Sequence, residues 1–167
     1  MDIVIVKPET VHSKAIATIC SKGWKQTVEG KLSEEYQRKN VDYWYNKERV
    51  ENDIKEGFYS YIALLNSEVV GVIGGGKTKS NVGEIYVLYV DENIRYKGIG
   101  KKLLEKFTQQ QIKEGLFEQW VSVQEDNHRG IPFYEARGFS YKEKRIQETE
   151  TGEQQVSLRY SRKIKSY

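Results

Sequence analysis

The chain has 167 residues, 38% of them apolar and 31% charged, with a formal charge of +3. That length suits one domain, residues 1–167, around one core. The balance is too apolar for a disordered chain and too polar for a membrane protein, and the mild positive charge fits an anionic ligand without requiring nucleic acid.

No apolar run approaches the roughly 18 residues that a bilayer-crossing helix needs. Residues 1–8 lack the basic, apolar and small-residue order of a signal peptide. Neither a membrane nor a nucleic acid is expected as partner, and a cytoplasmic location is the default expectation. Cys20 is the only cysteine, and His12 and His128 are the only histidines. A zinc site needs more nitrogen or sulfur ligands than these, so no metal is expected.

In chain order, Ile3 to Val6 is wholly apolar and predicts a strand buried on both faces, ended by Pro8. Thr10 can cap a helix carrying Val11, Ala15, Ile16 and Ile19 on one side, with Gly23 as its stop. Trp24 to Gly30 then reads as a loop. Ser33 to Glu56 predicts a helix in two pieces, rich in aromatics, and Gly57 ends it. Phe58 to Leu65, Glu68 to Lys79 and Glu84 to Val90 predict an antiparallel meander.

Gly98 to Glu114 carries the strongest helical pattern, with Ile99, Leu103, Leu104, Phe107 and Ile112 as its apolar stripe and Gly115 as its stop. Phe117 to Val123 predicts a strand and Asn127 to Arg137 a short helix, with Pro132 tolerable only in or near its first turn. Phe139 to Ile146 and Gln155 to Ile164 predict a closing hairpin. No internal repeat or long linker interrupts this series.

The chemistry concentrates at Arg95-Tyr96-Lys97-Gly98-Ile99-Gly100-Lys101. Two glycines bring bare backbone to a helix N-terminus, where unpaired N–H groups and the positive end of the helix dipole point outward. A diphosphate needs several such donors and no obstructing side chain. Arg95, Lys97 and Lys101 add charge. The plainer reading is a glycine turn entering a helix among solvated basic residues. A P-loop would need glycine at position 95 and Ser or Thr at position 102, where Arg95 and Lys102 stand. A dinucleotide fingerprint would need a small residue in place of Leu103.

This segment resembles the acetyl-CoA motif of the GNAT acetyltransferases, whose core is Arg/Gln-x-x-Gly-x-Gly/Ala. Glu92 stands where that motif usually has proline, and Tyr96 where glycine often follows the arginine. Downstream, the run from Asn127 through Phe133 and Tyr134 to Gly138 and Phe139 is similar to a second segment of the family, with Gly130 in place of its common alanine. The resemblance implies an α/β fold of mixed α+β type, a mostly antiparallel twisted sheet of about seven strands flanked by about four helices. It implies acetyl-CoA as cofactor and a small-molecule or peptide amine as acceptor. Homodimers are common among proteins of this kind.

Residue by residue, the resemblance implies that backbone groups of Leu88, Tyr89 and Val90 meet the cofactor's pantetheine arm, with Arg95, Tyr96, Lys97, Gly98, Ile99, Gly100 and Lys101 at its phosphates. Asn127 matches a residue that touches the arm, and equally suits the cap of the following helix. Tyr134 matches the usual general acid, a phenol able to donate to the departing sulfur; otherwise it packs with Phe133 as core. Glu84 opens the strand leading to this site and could take the acceptor's proton, alone or through a water chain, or be a solvated strand end. Trp24, Tyr36, Tyr43 and Trp44 could frame the acceptor by cation–π contact or cover the sheet; Trp24, Tyr36 and Glu84 are the residues expected at the substrate. Gly74, Gly75 and Gly76 could leave room for substrate or relieve a crowded twist. Cys20 reads as a packed small hydrophobe. A CoA-binding module without catalysis would share the phosphate site but need no acceptor pocket, and a small RNA-binding domain lacks the expected aromatic motif.

Overall fold

The computed structural model describes residues 2–95 and 97–165. Tyr96 therefore lies outside the described residues. Within them, seven strands form one sheet: β1 (Ile3–Val6), β2 (Tyr59–Leu65), β3 (Glu68–Lys79), β4 (Val82–Val90), β5 (Glu118–Gln124), β6 (Ser140–Glu148) and β7 (Gln154–Lys163). Their order is β1-β2-β3-β4-β5-β7-β6, antiparallel at every step except the parallel pair β4 and β5.

Five α-helices flank the sheet among the described residues: α1 (Ser13–Val28), α2 (Glu34–Trp44), α3 (Lys47–Lys55), α4 (Ile99–Lys113) and α5 (Gly130–Ala136). Residues of α1 and α3 share one apolar cluster with Tyr59, Ile62 and Val72, while α4 and Tyr134 of α5 share another with Ile73, Ile85, Val121 and Val123. The sheet is thus covered on both faces, and the parallel β4–α4–β5 step is the crossover that lays α4 against the face of β2, β3 and β4.

The expected break inside 33–56 falls at Tyr45–Asn46, and each piece has its own cap. Ser33 Oγ accepts from Tyr36 N at 3.1 Å, and Asn46 Oδ1 accepts from Arg49 N at 2.8 Å. Such caps satisfy first-turn amides that have no intrahelical partner. Pro132 falls at the third position of α5, where its missing N–H costs no helical bond.

Four expectations are corrected. The first helix does not stop at Gly23; α1 runs on to Val28. A Cβ on Gly23 would lie 2.2 Å from Tyr89 Cδ1, so this glycine permits close packing of helix on sheet rather than marking an end. Thr10 is not the cap either: residues Thr10–His12 form a 3-10 turn capped by Glu9, and Val11 is 80% exposed. The first strand is not buried on both faces. It is an edge strand, so Val4 faces solvent while Ile3 and Ile5 reach the α4-side cluster. On α4, Gln111 rather than Ile112 completes the buried stripe. Its Oε1 accepts from Gln119 Nε2 at 3.0 Å, and Gln119 Nε2 also donates to Thr108 Oγ1 at 3.1 Å, so the buried amides pair with one another.

Candidate active site

The site begins with one extra residue in β4. Gly75 pairs with Ile85 and Gly74 with Val87, which leaves Tyr86 between them unpaired. This bulge reverses the phase of the strand. Ile85 belongs to the α4-side cluster, yet Val87 and Tyr89 pack on the α1 side and Leu88 and Val90 on the α4 side. Pairing with β5 ends at the same place: the last matched residues are Ile85 and Val121, although both strands continue. Beyond it Leu88, Tyr89 and Val90 have no partner on β5 among the described residues. The bulge also resolves the glycines of β3. A Cβ on Gly74 would meet Phe58 O at 2.2 Å and one on Gly75 would meet Glu84 O at 2.0 Å, so both serve close strand approach.

At the end of β4 the chain passes through a 3-10 turn, Glu92–Ile94, into the mouth of α4. Gly98 is the N-cap, at φ 75°, ψ 14°, a left-handed conformation that favours glycine. Among the described residues nothing lies within 4 Å of a Cβ built on Gly98, and the nearest atoms to one on Gly100 are Phe133 ring carbons at 3.4 and 3.5 Å and Val90 at 3.8 Å. The fold itself therefore has room at both places. The first helical amide bonded within α4 is that of Lys102, to Gly98 O at 3.1 Å, leaving the amides of Ile99, Gly100 and Lys101 as first-turn donors. Lys97 and Lys101 are exposed beside them. Arg95 Nη2 donates to Gln26 Oε1 at 2.5 Å, and Gln26 Nε2 donates to Glu92 at 2.7 Å, which ties α1 to this loop.

Tyr134 on α5 is 7% exposed, edge-on to Phe133 and Phe139 with ring centroids 5.2 Å away in each case. It shares a cluster with Val123 of β5 and with Leu88 and Val90 of β4, the strands whose pairing ends at Ile85 and Val121. Burial pushes its phenol well above the ordinary range. Asn127 Oδ1 accepts from Gly130 N at 2.8 Å and Arg129 N at 3.2 Å, so it does organise the entry to α5.

Glu84 is no solvated strand end. It is 8% exposed, and both its oxygens accept from Arg159 of β7, itself 8% exposed. Arg159 Nη2 donates to Oε1 at 2.8 Å; Nη1 donates to Oε2 and, at 2.9 Å, to Ser122 Oγ. The guanidinium also stands 5.1 Å from the Trp120 ring centroid. The sequence reading missed Arg159, Trp120 and Ser122. Alternation in β5 and β7 puts them on one face, but only the β5–β7 register brings them beside Glu84.

The aromatic residues divide. Trp24, 8% exposed, packs with Val28 and Leu32 as core between α1 and α2. Tyr43 and Trp44 hold the Arg49 guanidinium between them, 5.1 and 4.4 Å from their ring centroids. The half-exposed rings at the bulge are Phe58 and Tyr86, 5.6 Å apart, which the sequence reading also missed. Tyr36 faces the hairpin instead: its Oη meets Gln155 Oε1 at 3.4 Å, and its phenol is raised by burial and then by Glu150 and Glu153. Nearby, Ser33 N donates to Glu153 Oε2 at 2.5 Å and Lys31 Nζ donates to Glu125 O, so the α1–α2 turn is fastened to the β6–β7 turn and to the end of β5. Cys20 is buried and its thiol is raised by desolvation, as suits a packed side chain.

Residues 21–139 match the Acetyltransferase (GNAT) family. The chain is 29% identical over 144 residues to a spermidine N(1)-acetyltransferase of Thermoplasma acidophilum, covering 83% of this chain and 89% of that one. It is 32% identical over 116 residues to an uncharacterised N-acetyltransferase of Methanocaldococcus jannaschii, covering 65% of this chain and 49% of that one, so it spans about half that relative's length. Among solved structures it is similar to PaiA N-acetyltransferase of Thermoplasma acidophilum in complex with coenzyme A, with a TM-score of 0.80, 26% identity and coverage of 98% and 99%. The parted strands, the glycine mouth of α4 and these likenesses agree: the chain belongs to the GNAT family of acetyltransferases, enzymes that use acetyl-CoA.

Proposed function

We propose that this enzyme acetylates a primary amine of a small, multiply charged acceptor of the polyamine class. The observation that carries the reading is the juxtaposition of a ligand-ready gap in the sheet with the buried Tyr134 and the open glycine mouth of α4. Acetyl-CoA, when bound, supplies an activated acetyl thioester. The chain's own residues do the rest. The amides of Ile99, Gly100 and Lys101 bind the diphosphate, with charge from Arg95, Lys97 and Lys101. Backbone groups of Leu88, Tyr89 and Val90 pair with the pantetheine arm as an added strand would. Asn127 meets the same arm through Nδ2, since its Oδ1 is engaged at α5.

Tyr134 holds a proton at Oη. Its raised phenol stays a hydrogen-bond donor throughout the neutral range, and the dryness that raises it disfavours a bare thiolate beside it as well. Glu84, with each oxygen already accepting from Arg159, accepts one further hydrogen bond per oxygen. It therefore orients a water that carries the amine's proton out. Holding both reactants in line makes a covalent enzyme intermediate unnecessary.

Two features favour a polyamine: the spermidine activity in the name of the Thermoplasma relative, and the acidic turn of Glu150 and Glu153, whose charge is felt at Tyr36. A second ammonium of the acceptor would rest at that rim. Thiol release from acetyl-CoA, measured over polyamines, amino acids and peptides, tests the reading. Polyamines are expected to give the highest kcat/KM, and Tyr134→Phe to slow turnover by about 10² or more while CoA affinity holds. No release with any amine would refute the activity, and a preference for acidic or neutral acceptors would refute the class.

A further inference from the structure

The Glu84–Arg159 pair stands on the strand that leads to the proposed amine site. A carboxylate at this place would on its own attract an ammonium ion. Here it is consumed by a fork of two hydrogen bonds from a guanidinium that is itself buried. The fork is held at some local expense, because Arg159 Nε is buried without a hydrogen-bond partner among the described residues. The pair lies next to the bulge. Glu84 precedes the unpaired Tyr86 by two residues, and its carboxylate is turned across β5 toward Arg159. The half-exposed Tyr86 ring and the exposed Ser122 keep this spot in contact with solvent.

The charged and titratable groups around it are few. Glu84 and Tyr86 come from β4, Arg159 from β7 and Glu143 from β6, and β5 offers only the uncharged Trp120 and Ser122. Glu143 is paired with Arg145 at 3.4 Å. The phenol of Tyr86 is raised above its ordinary range, first by burial and then by Glu84. The floor of the cleft therefore carries one negative and one positive charge in direct contact, and no net charge.

We infer that Arg159 is a positioning residue that also sets the charge state of the acceptor: by occupying Glu84 it keeps the reacting amine from being clamped as an ammonium ion. An ammonium has no lone pair to attack with, and a bare carboxylate within about 4–6 Å favours the charged form. With the fork in place, binding strength comes from the half-exposed Phe58 and Tyr86 rings and from the distant acidic turn of Glu150 and Glu153. The reacting end then meets a neutral floor from which water removes a proton. The inference rests on the acetyltransferase reading above and concerns the same cleft.

The test is thiol release by the full chain with acetyl-CoA and spermidine, followed against amine concentration and pH. The variants are Arg159→Gln and Arg159→Lys. Arg159→Gln is expected to lower KM for the amine about threefold or more, to lower kcat at neutral pH, and to move the alkaline rise of kcat upward by about one pH unit. Arg159→Lys, which keeps the charge, is expected to bring the pH profile back. A purely structural role would raise KM or lower the active fraction without moving the profile. A raised KM or an unmoved profile in Arg159→Gln would overturn the assignment. Should that variant fail to fold, an Arg159→Lys profile that rises at a higher pH than that of the wild-type chain would overturn it, since the charge on Glu84's partner is kept. A wild-type chain that releases no thiol with any amine would instead bring down the reading beneath it.

Discussion

Substituting Gly100 by alanine separates what the fold needs from what the cofactor needs. The added Cβ would meet Phe133 and Val90 at 3.4 to 3.8 Å, ordinary contact distances. Position 100 is the second residue of α4, and alanine there is worth up to about 0.5–1 kcal/mol over glycine. A chain of this length gains about 2–4 °C in Tm for each kcal/mol, so Tm should hold or rise by a few degrees. Cofactor affinity should hold within about twofold, because the acetyl-CoA motif accepts alanine at this place and the added Cβ lies against Phe133 and Val90; the loss of a diphosphate contact would be plain by comparison. A hydrogen bond from an amide to a charged group contributes about 1.5–3 kcal/mol, so displacing the diphosphate from one amide weakens binding roughly 10–100-fold. Thermal melts without ligand, paired with calorimetric titration of CoA, give both numbers from one protein. A variant at least as stable as the wild-type chain that binds CoA about 10-fold or more weakly would refute the reading of Gly100 as the Gly/Ala position of the motif.

Two further perturbations address the frame of the site. Gly23→Ala places a methyl 2.2 Å from the Tyr89 ring; the overpacking cost of about 1–3 kcal/mol outweighs the roughly 1 kcal/mol gained in helix propensity, so Tm should fall. A rise in Tm would show that the ring moves aside freely. Glu153 is held below its ordinary carboxyl value, first by Thr151 and then by Ser33. A carboxyl depressed on folding contributes stability that is present above its unfolded value, about 4.3, and lost as pH falls through the lower folded value. The Ser33 amide resonance should hold steady down to that point and shift only below it; a midpoint above pH 4.3 would contradict the contact.

The architecture was largely legible because it rests on local patterns. The meander, the stripe of α4 and the closing hairpin follow from residue alternation and periodicity, and the glycine mouth from two small residues before an amphipathic run. What escaped depends on contacts far apart in sequence. Gly23 looks like any helix stop until Tyr89, 66 positions on, is packed against it. Arg159 reads as one more polar residue on an alternating strand, and its partner Glu84 lies two strands away across β5. The edge position of β1 is equally invisible, since Ile3 to Val6 has the composition of a central strand. The roles of individual site residues came from family resemblance, because no local pattern distinguishes a donor to a ligand from a donor to water.

The unpaired Tyr86 has one more consequence. Past that residue β4 has a neighbour on β3 alone, so an outer rim exists in the interior of a seven-stranded sheet. Amides of Val87–Val90 that point toward β3 should trade their hydrogens for deuterium slowly, while those that point into the opening trade quickly. A ligand arriving there would slow every second residue and spare the ones between, leaving its imprint on the backbone as the teeth of a comb.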